Sequence, residues 1–208
     1  MLASIGRTHL IVIAAGYAGG LAAFPWLPGL YLGLEGSLVA RAAIAFLIPT
    51  AALVTCSAVE TLFSRTTSNA PHVESAKAVR AVIAFTAVFM VALHGLVLLS
   101  LLGFVISGLP VHRLVVVLFG LLLVGIGNVL PRVRPNIVIG IHTRRLLVNR
   151  TAWARVHRVV GYLLAALGTI AIGAGLMLSK SQIPVVLSAA VVVGATVHLA
   201  AYWRWTRG

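Results

Sequence analysis

The sequence contains no aspartate, and its only acids are Glu35, Glu60 and Glu74 among 208 residues. An aspartyl dyad, a Ser-His-Asp triad and any site built on paired aspartates are therefore excluded. The zinc motif His-Glu-x-x-His is missing, and so is the glycine-rich phosphate loop that ends in Gly-Lys-Ser/Thr. Nucleotide-driven transport by this chain alone is thus not expected. Cys56 is the single cysteine, which rules out an internal disulfide. It lies within an apolar run, where an inert core thiol is the simplest reading. Charge of either sign is scarce: 9% of residues are charged and 61% are hydrophobic. A water-soluble domain, with about a quarter of its residues charged, does not carry that balance. A lipid bilayer as solvent makes it reasonable.

The charge that is present is almost all basic, 16 Lys and Arg for a net charge of +13. These residues sit in short segments between apolar runs, which is the pattern of topogenic charge held against an anionic leaflet. Membrane lipids are therefore expected partners, and nucleic acid is not. The charges punctuate six apolar runs. The first, about Leu10 to Phe24, follows Arg7 and reads as a signal anchor retained as a span. Pro25 and Pro28 end it, with Trp26 and Tyr31 placed as interfacial aromatics. Arg41 to Glu60 encloses the second, with a kink expected at Pro49. Arg80 to Arg113 encloses the third, ending near Ser107-Gly108-Leu109-Pro110. The remaining three lie between Arg113 and Arg132, Arg158 and Lys180, and Lys180 and Arg204. With the N-terminus inside, only Arg41, Arg113 and Lys180 remain outside, against thirteen basic residues inside. The expected fold is all-α: a polytopic membrane protein, a six-transmembrane-helix bundle with both termini in the cytoplasm. Glycines in the first run (Gly16, Gly19, Gly20) and the fifth (Gly161, Gly168, Gly173, Gly175) predict close helix approaches.

The segment joining the fourth and fifth spans carries the densest signal. It reads Gly127-Asn128-Val129-Leu130-Pro131-Arg132-Val133-Arg134-Pro135-Asn136, then Gly140-Ile141-His142-Thr143. Two prolines bracket two arginines, Pro135-Asn136 favours a turn, and Gly140 can adopt backbone angles closed to other residues. A stiff loop presenting Arg132 and Arg134 is expected, with Asn128 and Asn136 fixing it through their amides. Trp153, His157 and Gly161 follow at i, i+4 and i+8, on one face of the next helix.

These residues resemble the signature of the SdpI family, named for the immunity protein of a sporulation-delaying toxin system. Gly127, Asn128, Leu130, Pro131, Arg132, Arg134, Pro135 and Asn136 match it in order. Gly140, Ile141, Thr143, Trp153, His157, Arg158 and Gly161 match it as well. The chain departs from the pattern at His142, where the family has Arg, at Arg144-Arg145-Leu146 in place of Pro-Trp-Thr, and at Val156 in place of Thr. The segment Pro25 to Ser37 also lacks the polar character associated with the family's N-terminal module. The resemblance implies a non-enzymatic protein of the bacterial inner membrane giving immunity to a secreted peptide toxin, or binding a cytoplasmic regulator. It also implies a two-helix module over residues 1–75 ahead of a four-helix domain over 76–208. The binding residues it implies are Asn128, Pro131, Arg132, Arg134, Asn136, Gly140, His142, Thr143, Trp153, His157 and Arg158.

Three ionisable residues within spans are further candidates, because such groups are costly in lipid. Glu60 lies near the inner end of the second span, where an inner-loop Arg is a natural partner. His94 sits mid-span in the third and His198 in the sixth. The alternative function they suggest is a small transporter or membrane enzyme using a cavity at the cytoplasmic mouth. His94 and His198 lack haem-specific flanking residues, so no cofactor is expected. Oligomeric state is not encoded in any readable feature.

Overall fold

The computed structural model describes residues 8–27, 38–67, 73–104 and 110–206. Among the described residues there are seven α-helices: α1 (Thr8–Ala23), α2 (Leu38–Thr67), α3 (Val73–Leu101), α4 (Val111–Val129), α5 (Arg144–Val148), α6 (Arg150–Met177) and α7 (Gln182–Thr206). Short 3-10 turns follow α1 at Phe24–Trp26 and α4 at Leu130–Arg132, each with a proline near its start. No strand occurs among the described residues.

Among the described residues, six helices are long and apolar enough to cross a membrane, from the 19 residues of Thr8–Trp26 to the 28 of Arg150–Met177. At 1.5 Å per residue even the shortest spans about 28 Å, close to the hydrocarbon thickness. The fold is that of a multi-pass helical membrane protein. Each helix exposes large apolar side chains, among them Leu47, Val54, Val88 and Val191 to Val193. In water these would be a liability; here they are the lipid-facing surface.

The structure carries α6 through Trp153, His157 and Gly161, as their spacing predicts. The helix starts at Arg150, eight residues before Arg158, because Asn149 caps it: Asn149 Oδ1 accepts the Ala152 amide at 2.9 Å. The short α5, capped by Thr143, was not anticipated at all. In the third run the helix ends at Leu101. The proposed turn at residues 107–109, Tyr31, and most of the Pro25 to Ser37 segment lie outside the described residues.

Helices α1, α2 and α3 pack mutually; α3 then packs on α4, α4 on α6, and α6 on α7. The division expected between residues 75 and 76 falls in the first turn of α3, which touches both halves. The α4–α6 contact is a glycine seam. Gly120 and Gly127 on α4 face Gly161, Gly168 and Gly175 on α6, all buried and seven residues apart along each helix. A Cβ on Gly127 would lie 2.6 Å from the Gly161 carbonyl oxygen, and one on Gly168 would lie 2.5 Å from the Gly120 oxygen. The backbones are therefore in contact. Lipid supplies no hydrophobic drive for such an association, so close dispersion contacts and Cα–H···O approaches take its place.

Pro49 interrupts α2 and leaves the Ala45 carbonyl without its usual donor four residues on. Two neighbours close over this carbonyl. Gly20 of α1 presses so near that an added Cβ would overlap the Ala45 oxygen. His94 of α3, 1% exposed, is turned toward the same carbonyl, without the alignment of a full hydrogen bond. A structural account of His94 follows: it is the polar neighbour of a carbonyl freed by a proline inside lipid.

Candidate functional site: the basic cavity of the α4–α6 loop

The loop leaves α4 through the 3-10 turn at Leu130–Arg132, and the Pro131 ring settles against Gly161, where a Cβ would be only 2.7 Å away. From there side chains hold it at almost every step. The Trp153 indole N–H donates to the Val133 carbonyl at 2.7 Å. The Arg134 amide donates to Ser75 Oγ at 3.0 Å, tying the loop to the first turn of α3. Asn136 uses its whole side chain: Oδ1 accepts the Val138 and Ile139 amides, both at 2.8 Å. Its Nδ2 donates to the Arg134 carbonyl at 2.8 Å and the Ile139 carbonyl at 3.1 Å. Two acceptor and two donor positions are all an amide side chain offers, so Asn136 is saturated.

Gly140 follows with φ +125, and its Cα faces the rings of Trp153 and His157 too closely for any Cβ. The Ile141 amide then donates to His157 Nε2 at 3.0 Å, while His157 Nδ1 lies 2.9 Å from the Trp153 carbonyl. A backbone N–H can only donate, so Nε2 is the acceptor and the proton sits on Nδ1; the imidazole is neutral in this arrangement. The two rings stack with centroids 3.9 Å apart and planes 16° from parallel. Trp153, Val156, His157 and Leu146 are all buried. Ile139 packs against both this cluster and the apolar cluster of α1–α3, so the loop joins the two parts of the bundle.

In front of this scaffold lies a cavity of about 750 Å³. Its walls come from α3 (Lys77, Ala78, Ala81), the end of α4 and the loop (Val129 and 131–135), and α5 and α6 (Leu147, Arg150, Trp153, Ala154). Lys77, Arg132, Arg134 and Arg150 give it four cations, and no carboxylate is among its lining side chains. The floor is apolar and includes the Trp153 ring, whose N–H is already committed to Val133.

The sequence-derived residues therefore divide by position. Pro131, Arg132, Arg134 and Trp153 line the cavity, while Asn136, Gly140 and His157 stand behind its wall. Thr143 caps α5, its Oγ1 accepting the Leu146 amide at 3.4 Å. His142 is exposed with its ring 6.4 Å from that of Trp153, and Arg158 is exposed. Asn128 is exposed and makes no side-chain hydrogen bond among the described residues, so Asn136 alone carries the expected loop-fixing role. Glu60 lies elsewhere, on a cavity of about 280 Å³ beside Arg80. Among the described residues it pairs with His9, whose Nε2 is 3.4 Å from Glu60 Oε2. His198, half-buried on α7, lies on the His157 side of the molecule, whereas His94 faces Ala45. Lys77, Arg150 and Ser75 were missed by sequence reasoning. The first two looked like ordinary topogenic charge, and Ser75 lies 59 residues before its loop partner.

No curated protein and no solved structure matches the chain. The model of the SdpI/YfhL protein family matches residues 132–202, from the first loop arginine to near the end of α7. This match takes in Arg132, Arg134 and Trp153, which line the cavity, and Asn136, Gly140 and His157, which stand behind its wall. The chain is thus a multi-pass membrane protein whose residues 132–202 match the model of the SdpI/YfhL protein family.

Proposed function

We propose that this chain is an SdpI-like protein of the bacterial cytoplasmic membrane that works by binding, without enzymatic chemistry, at its α4–α6 loop. It gives resistance to a secreted peptide toxin, or it holds a regulatory partner at the cytoplasmic face. The observation that carries this reading is the preorganised basic cavity built by the signature residues of that loop. A binding face whose backbone is already fixed does not lose ordering entropy when it is occupied. The thirteen-to-three distribution of basic residues supports an orientation with both termini and this loop inside.

The test is expression in toxin-sensitive bacteria, with growth under toxin challenge as the readout and pull-down of the detergent-extracted protein as a second. Arg132→Ala and Arg134→Ala should abolish resistance or partner capture while protein levels stay near wild type. Glu60→Gln and His94→Leu should retain activity, which separates binding from proton-coupled transport. Full activity in both arginine variants would reduce the loop to a topological anchor.

A further inference from the structure

We infer that the lipid-facing side of α6 carries a docking site for the headgroup of an anionic phospholipid, built by Arg155, Arg158 and Tyr162. This site lies apart from the loop cavity, whose α6 residues are Arg150, Trp153 and Ala154, and it does not rest on the function proposed above. At 3.6 residues per turn, Thr151, Arg155, Arg158 and Tyr162 fall within about 60° of one another around the helix. All four are exposed, Tyr162 to 67%. Gly161, Gly168 and Gly175, which meet α4, lie roughly 110° away around α6, and Leu167, which meets Gly194 of α7, lies on the far side. The two arginines and the tyrosine therefore point away from both long helices that pack on α6. The same face continues through Ala166 and Thr169, both exposed and uncharged, with the Thr169 hydroxyl turned back to the Ala165 carbonyl at 2.9 Å. An acyl chain can lie along that surface below a headgroup held by the arginines.

The register along the helix sets these groups at the depth of lipid phosphates. From Arg158 to Met177, the last residue of α6, the helix rises about 28 Å, close to the hydrocarbon thickness. With Met177 at one boundary, Arg158 reaches the other. Tyr162 then lies about 6 Å inside that boundary, where its amphipathic ring is at home, and Arg155 lies about 4 Å beyond it among the headgroups. Charge that serves topology alone acts from any point in a loop. Here two arginines share the lipid-facing side of one helix with an aromatic at matching depth. Residues three apart are neighbours on a helix surface, so both guanidinium forks can reach the oxygens of one phosphodiester. Among the described residues neither arginine is engaged in an ion pair. An anionic lipid offers its phosphate without a compensating ammonium, whereas a zwitterionic one brings a cation toward two arginines.

The test uses the full-length protein in detergent and native mass spectrometry, with phosphatidylglycerol and phosphatidylcholine of equal chain length titrated separately. Phosphatidylglycerol should bind about tenfold more tightly than phosphatidylcholine, and R155Q/R158Q should lose that preference. The variant R144Q/R145Q, which removes two exposed cations of α5, should keep it. Equal binding of the two lipids by the wild-type protein would overturn the proposal. So would a preference that survives R155Q/R158Q, or one lost equally in R144Q/R145Q, which would reduce the effect to summed basic charge. A polyglutamate peptide that binds through Arg155 and Arg158 in the absence of any lipid preference would place a protein partner there and end the lipid reading. A second measurement needs no variant. Wild-type protein photocrosslinked to phosphatidylglycerol with a diazirine beside its headgroup should be labelled mainly within residues 155–166. Labelling concentrated elsewhere would overturn the proposal even if R155Q/R158Q failed to fold.

Discussion

The α4–α6 part of the bundle and the α1–α3 part are held by different means. In the first, backbones touch along five glycines, and the loop between the helices is fixed by Asn136, Trp153 and His157. In the second, packing is mostly between apolar side chains around Ile13, Ala52, Val79 and Ile83. Among its described polar contacts between helices are Tyr17 to Thr50 at 2.8 Å, Cys56 Sγ to the Ile83 carbonyl at 3.8 Å, His9 to Glu60, and His94 turned toward the Ala45 carbonyl. A carbonyl freed by proline needs only a neighbour. A loop that must present several cations in one geometry needs its backbone pinned at each step. The contrast teaches that, among the described residues, the side-chain hydrogen bonds that pin backbone gather at the loop.

Glycine substitutions should separate the two regions most. Gly140→Ala combines a left-handed backbone angle with overlap on His157 and Trp153, while Gly19→Ala meets nothing within 4 Å. We expect Gly140→Ala to cost about 3 kcal/mol or more, or to abolish folding, and Gly19→Ala to leave the thermal midpoint in detergent unchanged. Equal tolerance of both would show that the loop is not pinned.

The two buried histidines come next. His157→Leu strands the Ile141 amide and frees the Trp153 carbonyl, a loss of about 1–3 kcal/mol. His94→Leu removes only an imperfect approach to Ala45 and should cost less than about 1 kcal/mol. Reversed magnitudes in chemical denaturation would place the more tightly held polar contact in α1–α3.

A smaller effect is expected within the loop itself. Asn136→Ala deletes four hydrogen bonds at a partly exposed position and should lower stability by about 2 kcal/mol, whereas Asn128→Ala should be silent. Amide hydrogen exchange at Val138 and Ile139 gives the direct readout, since those amides lose their acceptor. The least change is expected from Glu60→Gln: the pair with His9 is about two-fifths exposed on the Glu60 side and contributes under about 1 kcal/mol.

Much of this was legible in the sequence. Pro131, Pro135, Asn136 and Gly140 announced a stiff loop, and the i, i+4 spacing put Trp153 and His157 on one helix face, where their rings stack. Other features were not legible. Asn128 and Asn136 looked equivalent, yet only Asn136 sits where the chain turns back within reach of its amide. The early start of α6 depended on Asn149, a helix cap hidden in a basic segment. The pairing of Glu60 with His9 was not legible either, because His9 reaches it from another helix.

Hydropathy and charge are properties of each segment alone, summed residue by residue as that segment partitions between water and lipid. The sequence by itself therefore determined the membrane setting, the six spans and the loop that bears the signature. The cavity was decided only by the tertiary structure. Its cations come from α3, the loop and α6, and Ser75 and Arg134 meet across 59 residues of chain. No local property records such a meeting, because it depends on how closely the glycine seam draws α4 to α6 and where that leaves the first turn of α3.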